Sequence, residues 1–201
     1  MRSSLIINTA ALAPHAATSS NLWRTGTYAE RAKLVERIVD TCYGKWDEII
    51  VAGNYKPDSA KPSRYIYIDV SPMYGDRRDA LVQREMGARL STGELLAFTH
   101  DDHSPDFAAK DIPDGDWHIL VPKRIHGISG VKLPNGEEEG YMGGHTLIMR
   151  RDIWVVIPWL TVTPHRCWDL PMTRIWKEAG LNIEFSDDLV SIDLEAQEGQ
   201  G

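Results

Sequence analysis

The apolar residues in the first half of the chain fall into two patterns, short unbroken runs and longer stretches with helical spacing. Short runs bounded by turn residues predict buried strands. These runs are residues 4–8, 47–52, 65–70 and 94–99. Apolar positions that recur every three or four residues predict amphipathic helices over 28–43 and 76–90. Because strands and helices alternate, we expect a largely parallel sheet with helices on its faces.

The second half of the chain is predicted to contain shorter strands that pair through tight turns. Strand-like runs occupy 117–122 and 144–149, and Asn135-Gly136 between them is a strong hairpin-turn signal. A Trp-rich loop, a helix and a final strand are then expected, at residues 153–168, 169–179 and 181–185. The shorter strands predict a small antiparallel addition to the parallel sheet.

The length and composition suit one globular domain. The chain has 201 residues, of which 25% are charged, and this is an ordinary globular composition. We therefore expect a single α/β domain over residues 1–194 and a flexible tail over 195–201. The net charge of -7 argues against a nucleic-acid-binding surface, because phosphate contacts need clustered Lys and Arg. No apolar run approaches the ~18 residues that a membrane span needs.

The cysteines and the N-terminal residues predict the cellular location. Cys42 and Cys167 cannot form a disulfide framework or a zinc cluster by themselves, and both are predicted to be buried thiols in a reducing compartment. Asn8 and Thr9 interrupt the first apolar run, which makes it a weak secretion signal. We expect a cytoplasmic protein.

The end of the fourth predicted strand is the most informative feature of the chain. Its apolar run leads directly into His100, Asp101, Asp102 and His103. Acids at the carboxyl end of such a strand lie where open α/β sheets bind their ligands. Acids after a strand can also simply cap a turn. Two adjacent carboxylates beside two imidazoles favour a divalent metal that holds a phosphate-bearing ligand, because the cation offsets their mutual repulsion.

Two passages resemble the GT-A fold glycosyltransferases, in particular the inverting family 2-like enzymes that use nucleotide-diphosphate sugars. The first is Ala88-Arg-Leu-Ser-Thr-Gly-Glu-Leu-Leu-Ala-Phe-Thr-His-Asp-Asp-His103, which is similar to the passage ending in the family's metal-binding acidic motif. The second is Trp168-Asp-Leu-Pro-Met-Thr-Arg-Ile-Trp-Lys-Glu-Ala-Gly180, which is similar to the passage whose acid is the catalytic base. Their order along the chain also matches the family.

The resemblance implies a GT-A-like domain in which residues 1–103 bind the nucleotide sugar and residues 104–194 form the acceptor half. It implies a site for Mn²⁺ or Mg²⁺. The family's acid-x-acid motif aligns in two registers, either His100 with Asp102 or Asp101 with Asp102, and the second is followed by His103. Asp101, Asp102 and His103 are thus the implied metal ligands. The implied donor-binding residues are Asn54, Arg84, Asp101 and Asp102, and the implied base is Asp169.

The sequence departs from the family pattern in several places. Trp168 stands where the family has a Glu before the base, and Gly53-Asn54 ends a strand that is often acidic there. Some relatives have a C-terminal His that ligates the metal, and in this chain Asp193 lies nearby instead. Asp169 precedes Leu170-Pro171, so it also suits a helix N-cap. Both roles of Asp169 remain open.

Other basic and aromatic residues admit both a functional and a structural interpretation. The cations that could pair with phosphate or face solvent are Arg77, Arg78, Arg84, Lys123 and Arg124. The tryptophans that suit either a sugar face or the core are Trp154, Trp159 and Trp168. His145 and His165 could contact acceptor or metal, or could be structural.

We therefore expect an enzyme that moves a sugar from a nucleotide-diphosphate donor to the hydroxyl of an unknown acceptor, which could be a glycan, a protein or a small molecule. Metal assistance and inversion with Asp169 as base are implied by the resemblance. The alternatives are a metal-dependent phosphohydrolase, a nucleotidyltransferase and a non-catalytic nucleotide- or sugar-binding module. A nucleotidyltransferase would need a Gly-rich basic loop after the first strand, and residues 8–13 contain none.

Overall fold

A computed structural model describes residues 1–9, 28–53, 56–68, 79–137, 140–143, 145–159 and 169–194 of the chain. Its strands are β1 (Ser3–Thr9), β2 (Glu48–Gly53), β3 (Arg64–Tyr67), β4 (Leu95–His100), β5 (His103–Pro105), β6 (Ile119–His126), β7 (Lys132–Leu133), β8 (Thr146–Arg150) and β9 (Ile183–Asp193). Its α-helices are α1 (Tyr28–Cys42), α2 (Asp79–Leu90), α3 (Arg151–Val156) and α4 (Asp169–Glu178). Within these ranges, no helix is long and apolar enough to cross a membrane.

The strands of the described residues form one sheet in the order β3-β2-β1-β4-β8-β6-β9-β5, with β7 paired to β6. The N-terminal part is parallel: β1 lies between β2 and β4, and β3 pairs with the outer edge of β2. Helix α1 lies between β1 and β2 in the chain and α2 lies between β3 and β4, and such crossover helices allow neighbouring strands to run parallel. The predicted α/β fold with a mainly parallel N-terminal half is confirmed.

The C-terminal strands extend the same sheet. β8 pairs antiparallel with both β4 and β6, and β9 pairs parallel with β6. β9 is longer than the predicted strand at 181–185, and its last residues pair with β5, so that Asp193 lies opposite His103. The extra length of β9 matters because it carries a carboxylate to the end of β4.

Two local predictions were wrong. The predicted Trp-rich loop begins with helix α3, in which Trp154 is buried. The hairpin turn lies at residues 127–130, where the Gly130 amide donates to His126 O, and not at Asn135-Gly136. Gly136 does adopt the positive φ of +90° that its sequence suggested. It uses this geometry to hold the loop at 140–143, since Tyr141 N donates to Gly136 O.

The core has a layer on each face of the sheet, because successive side chains of a strand point to opposite sides. Leu5 and Ile7 of β1 pack with the apolar face of α1, including Val35. Ile6 faces the other layer, where Phe98 and the tryptophans Trp154, Trp159 and Trp176 are buried. Cys42 is also buried, and burial raises the pKa of its thiol to about 11, as expected of an inert core thiol.

Gly87 lies where α2 presses against β1. A Cβ at this position would lie 2.4 Å from Cγ2 of Ile6, a fully buried branched side chain. We expect Gly87→Ala to lower the free energy of unfolding by about 1–3 kcal/mol through overpacking, although Ala is the better helix former. Chemical denaturation measures this change. Leu90→Ala, on the exposed end of the same helix, is the control, and an unchanged Gly87→Ala protein would contradict the contact.

Candidate active site

The candidate site lies at the carboxyl ends of β1 and β4. These strands are parallel, and their register places Asn8 beside His100. The chain leaves β4 at His100, turns through Asp101 and Asp102, and enters β5 at His103. The Thr99 hydroxyl donates to His103 O at 2.8 Å and holds this tight turn closed. The fold therefore places the predicted acidic motif at the edge where α/β sheets bind ligands.

A buried arginine contacts both of the adjacent carboxylates. Nη1 of Arg31 lies 3.3 Å from Asp101 Oδ1 and 3.4 Å from Asp102 Oδ2. Arg31 comes from α1, and its side chain is 4% exposed. Arg31 was not among the residues predicted for the site. A signal existed, because Arg31 occupies the same helical face as Leu34, Val35 and Ile38, where a charge needs a buried partner.

His103 lies between two carboxylates. Its Nδ1 is 2.5 Å from Asp102 Oδ1, and its Nε2 is 3.8 Å from Asp193 Oδ2. Arg124 in turn pairs with Asp193 at 2.6 Å. Burial acts to raise the pKa of Asp102, but His103 and its hydrogen bond outweigh burial and hold this pKa well below its usual value. Asp102 therefore stays ionised and orients the His103 ring.

Whether a metal ion can bind here depends on which side-chain atoms can act as its ligands. Among the described residues, no group of three or more His, Cys, Asp or Glu side chains could hold a metal alone. Asp101 and Asp102 face Arg31, whereas His103 Nε2 is a buried nitrogen without a hydrogen-bond partner among the described residues. A histidine whose other nitrogen contacts a carboxylate is a common metal ligand. The described residues thus offer His103 Nε2 as one ligand atom, and they do not form a complete metal site by themselves.

A second set of contacts connects β1, α2 and β4 below this motif. Arg84 Nε donates to Asn8 Oδ1 at 2.9 Å, and Asn8 Nδ2 lies 2.8 Å from His100 Nδ1. The guanidinium carbon of Arg84 lies 5.1 Å from the ring centroid of Trp159. Arg84 is fully buried, and burial lowers its pKa to about 9 against the opposing charge of Asp169. The predicted donor-binding arginine is therefore buried, where it bonds Asn8 and acts electrostatically on Asp169.

Asp169 is the first residue of α4 and is half-buried. Burial raises the pKa of its carboxyl, and its hydrogen bonds and the charge of Arg84 act in the opposite direction. Its Oδ1 accepts a hydrogen bond from Leu170 N at 3.0 Å. A carboxylate at a helix start with a raised pKa is suited to accept a proton. The same bond to the helix backbone is compatible with an anchoring role at the helix start.

Several other candidates are structural. Trp154 and Trp159 belong to the core, where Trp154 Nε1 and Trp159 N both donate to the buried Glu85 carboxylate. His145 is buried 5.7 Å from the His103 ring, measured between centroids, and its Nε2 contacts Pro122 O at 3.3 Å. Burial lowers the pKa of His145 to about 3, so this ring stays neutral.

Some residues named in the sequence analysis lie outside the described residues. They are Asn54, Arg77, Arg78, His165, Cys167 and Trp168. Lys123 is half-buried on β6, and Arg124 pairs with Asp193 instead of lying in solvent.

A cavity of about 870 Å³ lies at the opposite end of the sheet, where Ser3 and Leu95 begin their strands. Its polar lining is largely engaged within the protein. Asp47 accepts hydrogen bonds from Ser3, and the Arg150 guanidinium donates to Gly115 O. Size alone does not make this cavity the reactive site. Hydrogen bonds from Ser3 lower the pKa of Asp47 here, whereas Asp102 and Asp169, the carboxyls on which burial acts most strongly, do not line the cavity.

No protein-family model and no curated protein sequence matches the chain. Solved structures do. A mutant of Drosophila β1,4-galactosyltransferase 7, complexed with manganese, UDP-Gal and xylobiose, is 12% identical with a TM-score of 0.53 and is matched over 92% of this chain and 65% of that chain. The catalytic domain of the same enzyme with xylobiose has a TM-score of 0.54 at 12% identity and the same coverage of 92% and 65%.

A mannosyltransferase from Pyrobaculum calidifontis, complexed with GDP-Man and Mn²⁺, is 15% identical with a TM-score of 0.59 and is matched over 98% of this chain and 58% of that chain. The chain thus spans less than two thirds of the length of these structures. At such low identity the likeness establishes the fold. The chain has the GT-A fold of these glycosyltransferases.

Proposed function

We propose that the protein is a glycosyltransferase that moves a sugar from a nucleotide-diphosphate donor to an acceptor hydroxyl. The observation that carries the proposal is the link that the buried Arg84 makes between the end of β4 and Asp169. Its guanidinium bonds Asn8, which contacts His100 before the acidic motif, and its charge acts on the pKa of Asp169. Donor and base sites at one edge of the sheet are what a direct transfer requires.

The ligands in the similar structures support this class of reaction. UDP-Gal and GDP-Man are both nucleotide-diphosphate sugars, and both were bound together with manganese. Xylobiose accompanies the galactosyltransferase. We propose a donor of the same chemical class for this chain, and we expect a cytoplasmic location.

The proposed reaction inverts the sugar. Asp169 accepts the proton of the acceptor hydroxyl while that oxygen attacks the anomeric carbon from the face opposite the diphosphate. Burial raises the pKa of Asp169, and this makes the ionised carboxylate a stronger base than an exposed aspartate. The hydrogen bonds at the helix start and the charge of Arg84 oppose that effect.

We place a divalent ion of the Mn²⁺ or Mg²⁺ type at the acidic motif, with Asp101, Asp102 and His103 as its surroundings. His103 Nε2 is the nitrogen available for ligation, and Asp102 orients that ring from Nδ1. When bound, the ion neutralises the charge that develops on the leaving diphosphate. Arg31 supplies a fixed positive charge to the same two aspartates.

The alternatives differ in their predicted ligands. A phosphohydrolase or nucleotidyltransferase would act on the phosphate and would have no use for Asp169 as a base toward an acceptor sugar. A non-catalytic binding module would bind nucleotide or sugar without turnover. The raised pKa of Asp169 favours an enzyme over a non-catalytic module, because perturbed carboxyls are enriched at catalytic sites.

Nucleotide diphosphates are expected to stabilise the folded protein only when manganese is present. A ligand that binds the folded state alone raises the free energy of unfolding by about 2.7 kcal/mol at one hundred times its dissociation constant. Thermal unfolding with UDP, GDP and ADP, each with Mn²⁺ or with EDTA, measures this. The matched control is the corresponding nucleoside, which lacks the diphosphate. The absence of a shift with every nucleotide would contradict the proposed donor site.

A further inference from the structure

We propose that Asn8 is a positioning residue that fixes which ring nitrogen of His100 carries the proton, so that His100 offers an Nε2–H donor at the ligand-binding edge. The inference rests on the proposed function for the identity of the ligand, an anionic diphosphate. The orientation of the His100 ring itself follows from the contacts of Asn8 and Arg84 alone.

Arg84 fixes the orientation of the Asn8 amide. The atom of Arg84 that contacts Asn8 is Nε, at 2.9 Å. A guanidinium nitrogen can only donate a hydrogen bond. The Asn8 atom that faces it must therefore be the carbonyl oxygen Oδ1. The opposite amide orientation would bring the Asn8 NH₂ group against the Arg84 N–H, and two donors cannot bond.

The Asn8 amide in turn fixes the tautomer of His100. With Oδ1 committed to Arg84, the Asn8 amide presents Nδ2 to His100 Nδ1 at 2.8 Å. An amide nitrogen donates only, so His100 Nδ1 must accept. The proton of the neutral ring then resides on Nε2. The tautomer of a histidine is commonly set in this way by the partner of its other nitrogen.

Packing holds Asn8, Arg84 and His100 in fixed positions. Asn8 and Arg84 are both 0% exposed. The parallel register of β1 and β4 holds Asn8 directly beside His100. The guanidinium of Arg84 is further held over the Trp159 ring. Because every member lies on a strand, a helix or the core, none can reorient without disturbing packed neighbours.

This arrangement presents the Nε2–H group of His100 at the end of β4. His100 is the residue of the three that reaches the surface, since it is half-buried at the last position of β4. A ring with its proton on Nε2 can donate to an anionic oxygen, whereas the other tautomer would present a lone pair that repels it. The Asn8 amide thus makes His100 a donor toward the diphosphate next to the acidic motif.

The ligand-free protein tests the tautomer directly. Long-range ¹H–¹⁵N spectra distinguish a protonated ring nitrogen from an unprotonated one, and the His100→Gln variant assigns the His100 signals. We expect an unprotonated Nδ1 and a protonated Nε2 in the native protein. A protonated Nδ1 would overturn the inference. This result does not depend on turnover, so it separates the inference from the proposed function.

Asn8→Asp changes the donor into an acceptor at almost constant size. Its carboxylate can still accept the bond from Arg84, so we expect a folded protein in which the His100 proton moves to Nδ1. We expect the KM for the nucleotide-sugar donor to rise at least about tenfold, a loss equivalent to 1.4 kcal/mol, with kcat less affected. Asn8→Leu, which removes both bonds, should give a mixture of His100 tautomers. An unchanged tautomer in Asn8→Asp would refute the role of Asn8.

A double-mutant cycle separates positioning from a general structural effect. If Asn8 acts through the His100 ring, Asn8→Asp should raise KM little in a His100→Gln background. If the two penalties simply add, Asn8 does not act through His100 and the inference fails. If the tautomer is as expected but no nucleotide binds, the donor assignment fails and the tautomer assignment stands.

Discussion

Asp169→Asn is expected to lower kcat by about 10²–10⁴-fold while the protein still binds the nucleotide-sugar donor. Asn keeps the size of the side chain and an oxygen that can accept the bond from Leu170 N, but it cannot take a proton at neutral pH. The loss should therefore appear in the chemical step. Single-turnover kinetics and a donor-binding titration measure the two effects separately.

The chain offers a closely matched control for this substitution. Asp152 Oδ1 accepts a bond from Ile153 N at 3.0 Å in the first turn of α3, as Asp169 does from Leu170 in α4. Asp152 is exposed and remote from the acidic motif. Asp152→Asn should leave turnover unchanged. If Asp169→Asn is equally active, Asp169 serves only the start of the helix.

The pH dependence gives the same base a second test. The carboxylate must be ionised to accept a proton, and burial raises its pKa above the usual 3.8. The acidic limb of kcat/KM should therefore lie above pH 3.8, and this limb should disappear from the residual activity of Asp169→Asn.

Arg31→Met is expected to lower the free energy of unfolding by about 3–5 kcal/mol near neutral pH. The substitution removes the cation shared by Asp101 and Asp102, and it leaves two adjacent carboxylates with less than one tenth and about one fifth of their side chains exposed. Denaturant unfolding of the two proteins measures the difference. Lys33→Met, on the exposed face of the same helix, should change stability by less than about 0.5 kcal/mol.

The difference in the free energy of unfolding between the native protein and Arg31→Met should become smaller as the pH falls. In the native protein the pKa of Asp102 is held well below its usual value. Its contribution to stability is therefore present above the unfolded pKa and is lost as pH falls through the folded pKa. Without Arg31 the folded pKa rises, so the variant loses less on acidification. If this difference in the free energy of unfolding became larger at acidic pH, Arg31 would not stabilise these carboxylates.

The local elements follow from sequence because their signals are local. The apolar faces of residues 28–43 and 76–90 predicted α1 and α2, and the short apolar runs predicted β1, β2 and β4. The hairpin at Asn135-Gly136 was wrong because a turn signal specifies backbone geometry and not which strands pair across it. The helix α3 was missed because Trp154 was assigned to a loop, whereas its burial and its bond to Glu85 decide its place.

The site could be predicted only in part. The acidic motif and Asp169 were predicted from the family-like passages that surround them, and their roles stay predictions. Arg31, Asn8 and Asp193 were not assigned to the site, because each reaches it from a distant segment of the chain. The positions of Asn54 and Trp168 stay predictions, since they lie outside the described residues.

The sequence by itself determined that this chain folds as an α/β sheet with acids at the end of a central strand, since periodicity and turn residues act over a few positions. Only the tertiary structure decided which charges those acids meet. Arg31, His103 and Arg84 acquire their partners through packing of helices and strands that are far apart in sequence. Burial shifts the pKa of Arg84 and of Asp169, because desolvation depends on the whole fold and not on neighbouring residues.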